Sequence, residues 1–211
     1  DGDWKFHWAP DPDSRPKDFY QTEYDVSSWD AIPVPSSWNI YGIQKDGSQK
    51  YGTPIYVNQP VIFQHSVKVD DWRGGVMRTP PANWTTYKDR NEVGSFRRDF
   101  EIPQNWDGRE VFISFDGVDS FFYLWINGQY VGFSKNSRNT ANFNITPYLQ
   151  KGKNTVAAEV YRSSDGSFLE AQDMFRLPGI FRTVALYSVP KVHFRDLVAT
   201  PDLDATYTDG S

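Results

Sequence analysis

The chain contains no cysteine. A disulfide framework, a thiolate nucleophile and a zinc–thiolate centre are excluded by that absence, which fits either side of a bacterial inner membrane. Histidine is scarce: His7, His65 and His193 lie far apart and offer no close-range metal-ligand spacing. No apolar run approaches the roughly 20 residues that a bilayer-crossing helix needs. The 22 Lys and Arg are scattered among 27 Asp and Glu, giving a net charge of −5 and no basic stripe. A binder of phosphate backbones needs such a stripe, so neither nucleic acid nor membrane is an expected partner. Sustained helical periodicity with caps is missing as well.

What the chain has in quantity is aromatic rings: 8 Trp, 12 Tyr and 15 Phe, 17% of 211 residues. Rings suit pleated, half-buried surfaces, and they also offer flat platforms for the apolar faces of sugars. For any single ring, a place in a sandwich core is the commoner role.

The first ninety residues are punctuated by prolines, among them Pro10, Pro12, Pro33, Pro35, Pro54 and Pro60, and proline is kept out of central strands. A short strand is expected over residues 4–8, with Trp4, Phe6 and Trp8 on one face. Residues 70–91 read as a long surface excursion, in which Trp84 is the candidate for an exposed sugar platform; Trp38 and Trp125 are the other rings considered, Trp125 as core.

From about Ser95 strands and turns alternate. Phe96, Phe100 and Ile102 share a face, as do Val111, Ile113 and Phe115, then Val156, Ala158 and Val160, and finally Val184 and Leu186. Residues 121–126 are apolar on both faces, as a central strand is. Asn127-Gly128 is a strong hairpin signal. The predicted class is all-β, a jelly-roll sandwich over residues 1–190. A strand-like run at 192–199 has no partner left in the sequence, so residues 191–211 are expected to begin a second, truncated domain.

Four segments then resemble one family. Pro35-Ser36-Ser37-Trp38 resembles its PSNW element, and Pro54-Ile55-Tyr56-Val57-Asn58 its PIYTN element. Phe115-Asp116-Gly117-Val118 with Trp125-Ile126-Asn127-Gly128 resembles its FDGV…WxNG hairpin. Most specific is the run from Ser164-Asp165-Gly166-Ser167 through Gln172-Asp173-Met174-Phe175-Arg176-Leu177-Pro178-Gly179-Ile180-Phe181-Arg182. Together they resemble glycoside hydrolase family 2, in its β-galactosidase branch.

The resemblance implies a galactose-binding-domain-like sandwich, followed in the intact enzyme by an immunoglobulin-like domain and a (β/α)8 barrel. The barrel would hold both catalytic glutamates, so no catalytic residue is expected here. Asp173 matches an aspartate that binds galactose hydroxyls and a monovalent cation (Na or K), a role suited to an all-acceptor carboxylate. The bland reading of Asp173 is a turn cap, or a pair with Arg176 or Arg182. Asn58 matches a second sugar contact, an amide that both donates and accepts; its bland reading is a turn residue.

Asp165 matches a carboxylate that binds a divalent ion in some relatives, but Lys135 stands where their glutamine ligand would be. An ion pair is therefore expected there instead of a metal. Arg176 and Arg182 are expected to brace a contact between domains or to support Asp173, rather than to touch sugar. Magnesium is implied for the barrel, and none is expected on this chain alone. The implied partners are β-galactosides and the enzyme's own barrel, with a homo-oligomer possible for the intact protein. A stand-alone carbohydrate-binding module, or a family member acting on glucuronides or mannosides, is the alternative.

Overall fold

Period-two burial along the strands sorts the chain into two facing sheets. The computed structural model describes residues 1–57, 91–168, 170, 173–208 and 210. Its strands are β1 (Gly2–Ala9), β2 (Asp30–Val34), β3 (Ile55–Val57), β4 (Val93–Glu101), β5 (Glu110–Phe115), β6 (Val118–Asp119) and β7 (Phe121–Ile126). They continue with β8 (Gln129–Ser134), β9 (Ala141–Asn144), β10 (Lys153–Tyr161), β11 (Met174–Arg176), β12 (Gly179–Ile180) and β13 (Val184–Val189). One four-residue helix, α1 (Trp38–Tyr41), follows β2.

Among the described residues, the two larger sheets have six strands, in the order β2-β1-β4-β10-β7-β8, and three, β13-β5-β9, and β11-β3 and β12-β6 form two-stranded pairs. All their pairings are antiparallel, which is the expected all-β sandwich. The core between the sheets joins Trp4, Phe6, Phe96, Phe122, Leu124, Ile126, Val156, Ala158 and Val160 to Val111, Ile113, Phe115, Ile145 and Val184. Each fully buried side chain of this size contributes about 1.5–3 kcal/mol relative to exposure. The faces read in the sequence are the faces buried, and Leu186 and Phe100 pack at the margin of the same core. Asn127 and Gly128 both take positive φ (51° and 78°) in a two-residue turn between β7 and β8, the geometry an Asn-Gly hairpin demands.

The six-stranded sheet is covered on its outer face too. Phe19 and Trp29 pack with Ala157, and Tyr20, Tyr24 and Trp125 close around them. Arg97, 6% exposed, fixes this cover: its guanidinium donates to the carbonyls of Phe19 (3.1 Å), Thr22 (2.9 Å) and Tyr24 (2.8 Å). Trp125 therefore lies outside the main core, stacked on Tyr20 with ring centroids 4.8 Å apart. One face of β7 meets the sandwich core, while on the other Trp125 meets this cover and Phe121 and Tyr123 line a groove of the same sheet.

Residues 192–199 depart from expectation, for they form no strand. Val192, Phe194, Leu197 and Val198 are 81–94% exposed. A strand's amides and carbonyls need a neighbouring ladder, and none of the described strands pairs with this run.

Candidate functional site

The segments around Ser36–Trp38, Ile55–Val57, Val118–Asp119 and Met174–Ile180 meet at one place in the fold, while the Asn127-Gly128 turn is bonded elsewhere, to Tyr148 and Asn154. β11 pairs with β3, in the register Met174↔Val57, Phe175↔Tyr56 and Arg176↔Ile55. β12 pairs with β6, Gly179 opposite Asp119 and Ile180 opposite Val118. The Ser36–Trp38 segment docks on the same stretch: Ser36 N donates to the Ile180 carbonyl (2.8 Å) and Trp38 N to the Pro178 carbonyl (3.2 Å). Gly179 is required there, because its φ is +138° and a Cβ would stand 2.6 Å from the Ser36 carbonyl oxygen.

Behind this junction lies a buried charge network. Glu92 and Arg162 pair at 2.6 Å, and the same carboxylate accepts from Trp38 Nε1 and Asn39 Nδ2, both at 3.2 Å. Arg162 also donates to the Thr53 carbonyl, 2.8 Å away. Gly52, at φ +70°, makes room for the pair, since a Cβ there would lie 2.2 Å from Glu92 Oε1. The segments around Trp38, Thr53 and Arg162 are thus tied to one another before any ligand is considered. Trp38 itself is 0% exposed, which removes it as a sugar platform.

Asp173 immediately precedes β11 and is exposed. Phe175, two residues on, is 60% exposed, and residues two apart on a strand face the same side. A carboxylate and an aromatic ring presented together suit a sugar, one accepting from hydroxyls and the other meeting the apolar ring face. Asn58, the other predicted sugar contact, lies outside the described residues, as does Trp84.

The residues that hold Asp173's neighbourhood include several that sequence reading missed. Ser137, in the β8–β9 loop, donates its backbone N–H (3.0 Å) and its hydroxyl (2.5 Å) to the Glu170 carboxylate. Arg138 donates to Asp119 Oδ2 at 3.3 Å and to the Met174 sulfur at 3.2 Å. Its guanidinium lies 4.8 Å from the centroid of the Phe181 ring, whose other neighbour is Arg182 at 5.2 Å. Burial pushes the Asp119 carboxyl up to about 6, outweighing Arg138 beside it; Glu170 adds to the rise, while Arg176 and Arg162 oppose it. The signal for Arg138 was a Ser-Arg pair just after the Asn-Gly hairpin, a pattern with no intrinsic meaning until the loop is folded onto β11.

The two arginines of the long motif do brace it. Arg176, 7% exposed, donates to the Glu170 carbonyl, and burial lowers the pKa of its guanidinium. Arg182 donates to the Arg138 carbonyl at 2.8 Å. Lys135 and Asp165 form the expected ion pair at 2.8 Å, and that hydrogen bond holds the Asp165 carboxyl below its ordinary value.

Among the described residues no group of three or more His, Cys, Asp or Glu is arranged to hold a metal ion. A carboxylate such as that of Asp173 carries two acceptor oxygens, of the hard kind that cations such as calcium and magnesium take.

A family model described as "Glycosyl hydrolases family 2, sugar binding domain" matches residues 1–190. The chain is 43% identical over 209 residues to a β-galactosidase of Priestia megaterium, covering 99% of this chain and 18% of that one. It is 36% identical to the β-galactosidase large subunit of Lactobacillus helveticus, covering 99% and 32%. The chain therefore spans between about a sixth and a third of the length of the curated relatives it matches. Among solved structures, β-glucuronidase 2 of Bacteroides uniformis aligns at a TM-score of 0.61 with 22% identity, over 90% of this chain and 17% of that one. A β-glycosidase from Bacteroides vulgatus aligns at 0.55 with 26% identity, over 89% and 19%. With a sandwich of this topology, a motif junction that gathers the family's segments, and a match over nine-tenths of its length, the chain belongs to glycosyl hydrolases family 2, as that family's sugar binding domain.

Proposed function

We propose that this domain completes the galactose pocket of a longer, retaining β-galactosidase and does no bond-breaking itself. A retaining glycosidase needs two carboxyl groups about 5 Å apart, one as nucleophile and one as acid/base; on this reading both stand in a (β/α)8 barrel beyond this chain. The domain's share is recognition. Asp173 accepts hydrogen bonds from sugar hydroxyls and gives one oxygen ligand to a sodium or potassium ion, and Asn58 reads a further hydroxyl. Such contacts speed the reaction only as far as they tighten when the ring distorts toward the transition state. Magnesium belongs to the barrel on the same reading.

The observation that carries the proposal is the exposed carboxylate of Asp173 at the head of β11, beside exposed Phe175, on a strand tied into the fold by β3 and by the β8–β9 loop. The likeness to β-galactosidases supports galactosides as the substrate class; the likeness to glucuronidases, at 22% identity, speaks to fold alone.

A second reading has its own observation. A groove of about 580 Å³ on the six-stranded sheet is lined by Phe121, Tyr123, Tyr130, Phe133 and Tyr161, and Asp173 is not part of it. Tyr130 and Phe133 are half exposed, as platforms of a stand-alone carbohydrate-binding module would be. The two readings separate by assay. Nitrophenyl β-galactoside, β-glucuronide and β-mannoside are offered to the full-length protein and to this domain, and sugar binding by the domain alone is measured calorimetrically. The split-pocket reading predicts galactoside hydrolysis by the full-length protein only, with no measurable affinity in the domain. Turnover by the domain, a full-length protein that ignores galactosides, or sugar binding by the domain that is abolished at Tyr130 and Phe133 would contradict it.

A further inference from the structure

β11 is three residues long, and Asp173 lies at its open end. A binding side chain must be held within about 0.5 Å of its productive geometry, and the segment is held by further contacts on both sides of Asp173. Three residues before Asp173, the Glu170 carboxylate is held by Ser137 N (3.0 Å) and Ser137 Oγ (2.5 Å). One residue after it, the Met174 sulfur receives the Arg138 guanidinium at 3.2 Å.

Ser137 and Arg138 are adjacent, so one loop grips the segment at two points that bracket Asp173. The grip is itself anchored: Ser137 is 1% exposed, Arg138 pairs with Asp119 on β6 and lies against the Phe181 ring, and its carbonyl is held by Arg182.

We infer that Ser137 and Arg138 are positioning residues, a two-point clamp that sets the Asp173 carboxylate in its sugar-reading geometry. The inference rests on the proposed role of Asp173. Arg138 acts through Met174 and Ser137 through Glu170; neither is placed against the substrate.

The test is made in the full-length enzyme with nitrophenyl β-galactoside, measuring kcat, KM and melting temperature for Ser137→Ala, Arg138→Ala and Arg138→Lys, each also in an Asp173→Asn background. A misplacement of about 1 Å in a reacting complex costs on the order of 100-fold, so Arg138→Ala is expected to lower kcat/KM by about 10- to 100-fold. Arg138→Lys should recover part of that loss, because it keeps the charge beside Asp119. In the Asp173→Asn background the same substitutions should change kcat/KM by less than about 2-fold, the non-additivity of coupled sites, since there is no carboxylate left to place.

Equal fold-losses in both backgrounds would make the clamp merely structural and overturn the inference while leaving Asp173's role standing. Full activity in Arg138→Ala and Ser137→Ala would overturn it in the same way. If Asp173→Asn alone keeps full activity, the reading of Asp173 fails first and the inference falls with it. Should Arg138→Ala not fold, Ser137→Ala carries the same comparison.

Discussion

The Glu92 carboxylate meets the Arg162 guanidinium at 2.6 Å with 5% and 1% of their side chains exposed. Around that contact hang Trp38 Nε1, Asn39 Nδ2 and the Thr53 carbonyl, and the Arg162 N–H donates to the Glu92 carbonyl at 2.9 Å. The pair is the knot between the helix that follows β2, the loop that leads into β3 and the end of β10. It ties together the segments that flank the β3–β11 junction.

Removing one partner of a buried pair leaves the other charged and uncompensated. Arg162→Met is therefore expected to destabilise the 211-residue chain by about 3–5 kcal/mol, read as a lower denaturant midpoint by tryptophan fluorescence. A midpoint within the error of the unsubstituted chain would refute the role given to the pair.

Lys135 and Asp165 present the opposite case. Their bond is nearly as short, 2.8 Å, but the side chains are 49% and 73% exposed. Water screens such a pair, and Lys135→Ala should cost less than about 1 kcal/mol. A loss comparable to that of Arg162→Met would mean that the loop leans on this contact far more than its exposure allows.

Asp119 gives stability a pH dependence of defined sign. Its folded value is about 6 against roughly 3.9 in an unfolded chain. Between those values the folded state keeps a proton that the unfolded state has released, so this contribution is complete below about pH 4. It is lost as pH rises through about 6, because the charged form is buried. The neighbours Arg138, Arg176 and Arg162 favour the charged form and Glu170 disfavours it; burial exceeds them. Asp119→Asn cannot titrate, so its unfolding free energy relative to the unsubstituted chain should climb between pH 4 and 7, by up to about 3 kcal/mol. Parallel stability profiles for the two proteins would contradict the assignment.

Much of the architecture was legible in the sequence because strands announce their faces. Val156, Ala158 and Val160 alternate, and they are buried against the opposite sheet; Asn127-Gly128 states its turn in two residues. The hidden part was what depends on distant pairing. Nothing local in Arg138 points to Met174, 36 positions away, and nothing in Arg97 points to three carbonyls of the cover loop. Trp38 is one of the rings considered as a sugar platform, yet its indole is sealed in the core with its N–H on Glu92. The run at 192–199 has the alternation of a strand without the neighbour that would make it one. Asp173 was found by the family's motif, and Phe175 becomes its companion only when burial shows both facing out.

The most direct test of the central claim is the hydrolysis of nitrophenyl β-galactoside by the full-length protein with Asp173→Ala, compared with the unsubstituted enzyme at equal melting temperature. Sugar-hydroxyl contacts that strengthen in the transition state supply several kcal/mol, so kcat/KM is predicted to fall by about 100-fold or more. Unchanged kinetics in a folded Asp173→Ala protein would contradict the claim that this domain lends its carboxylate to the galactose pocket.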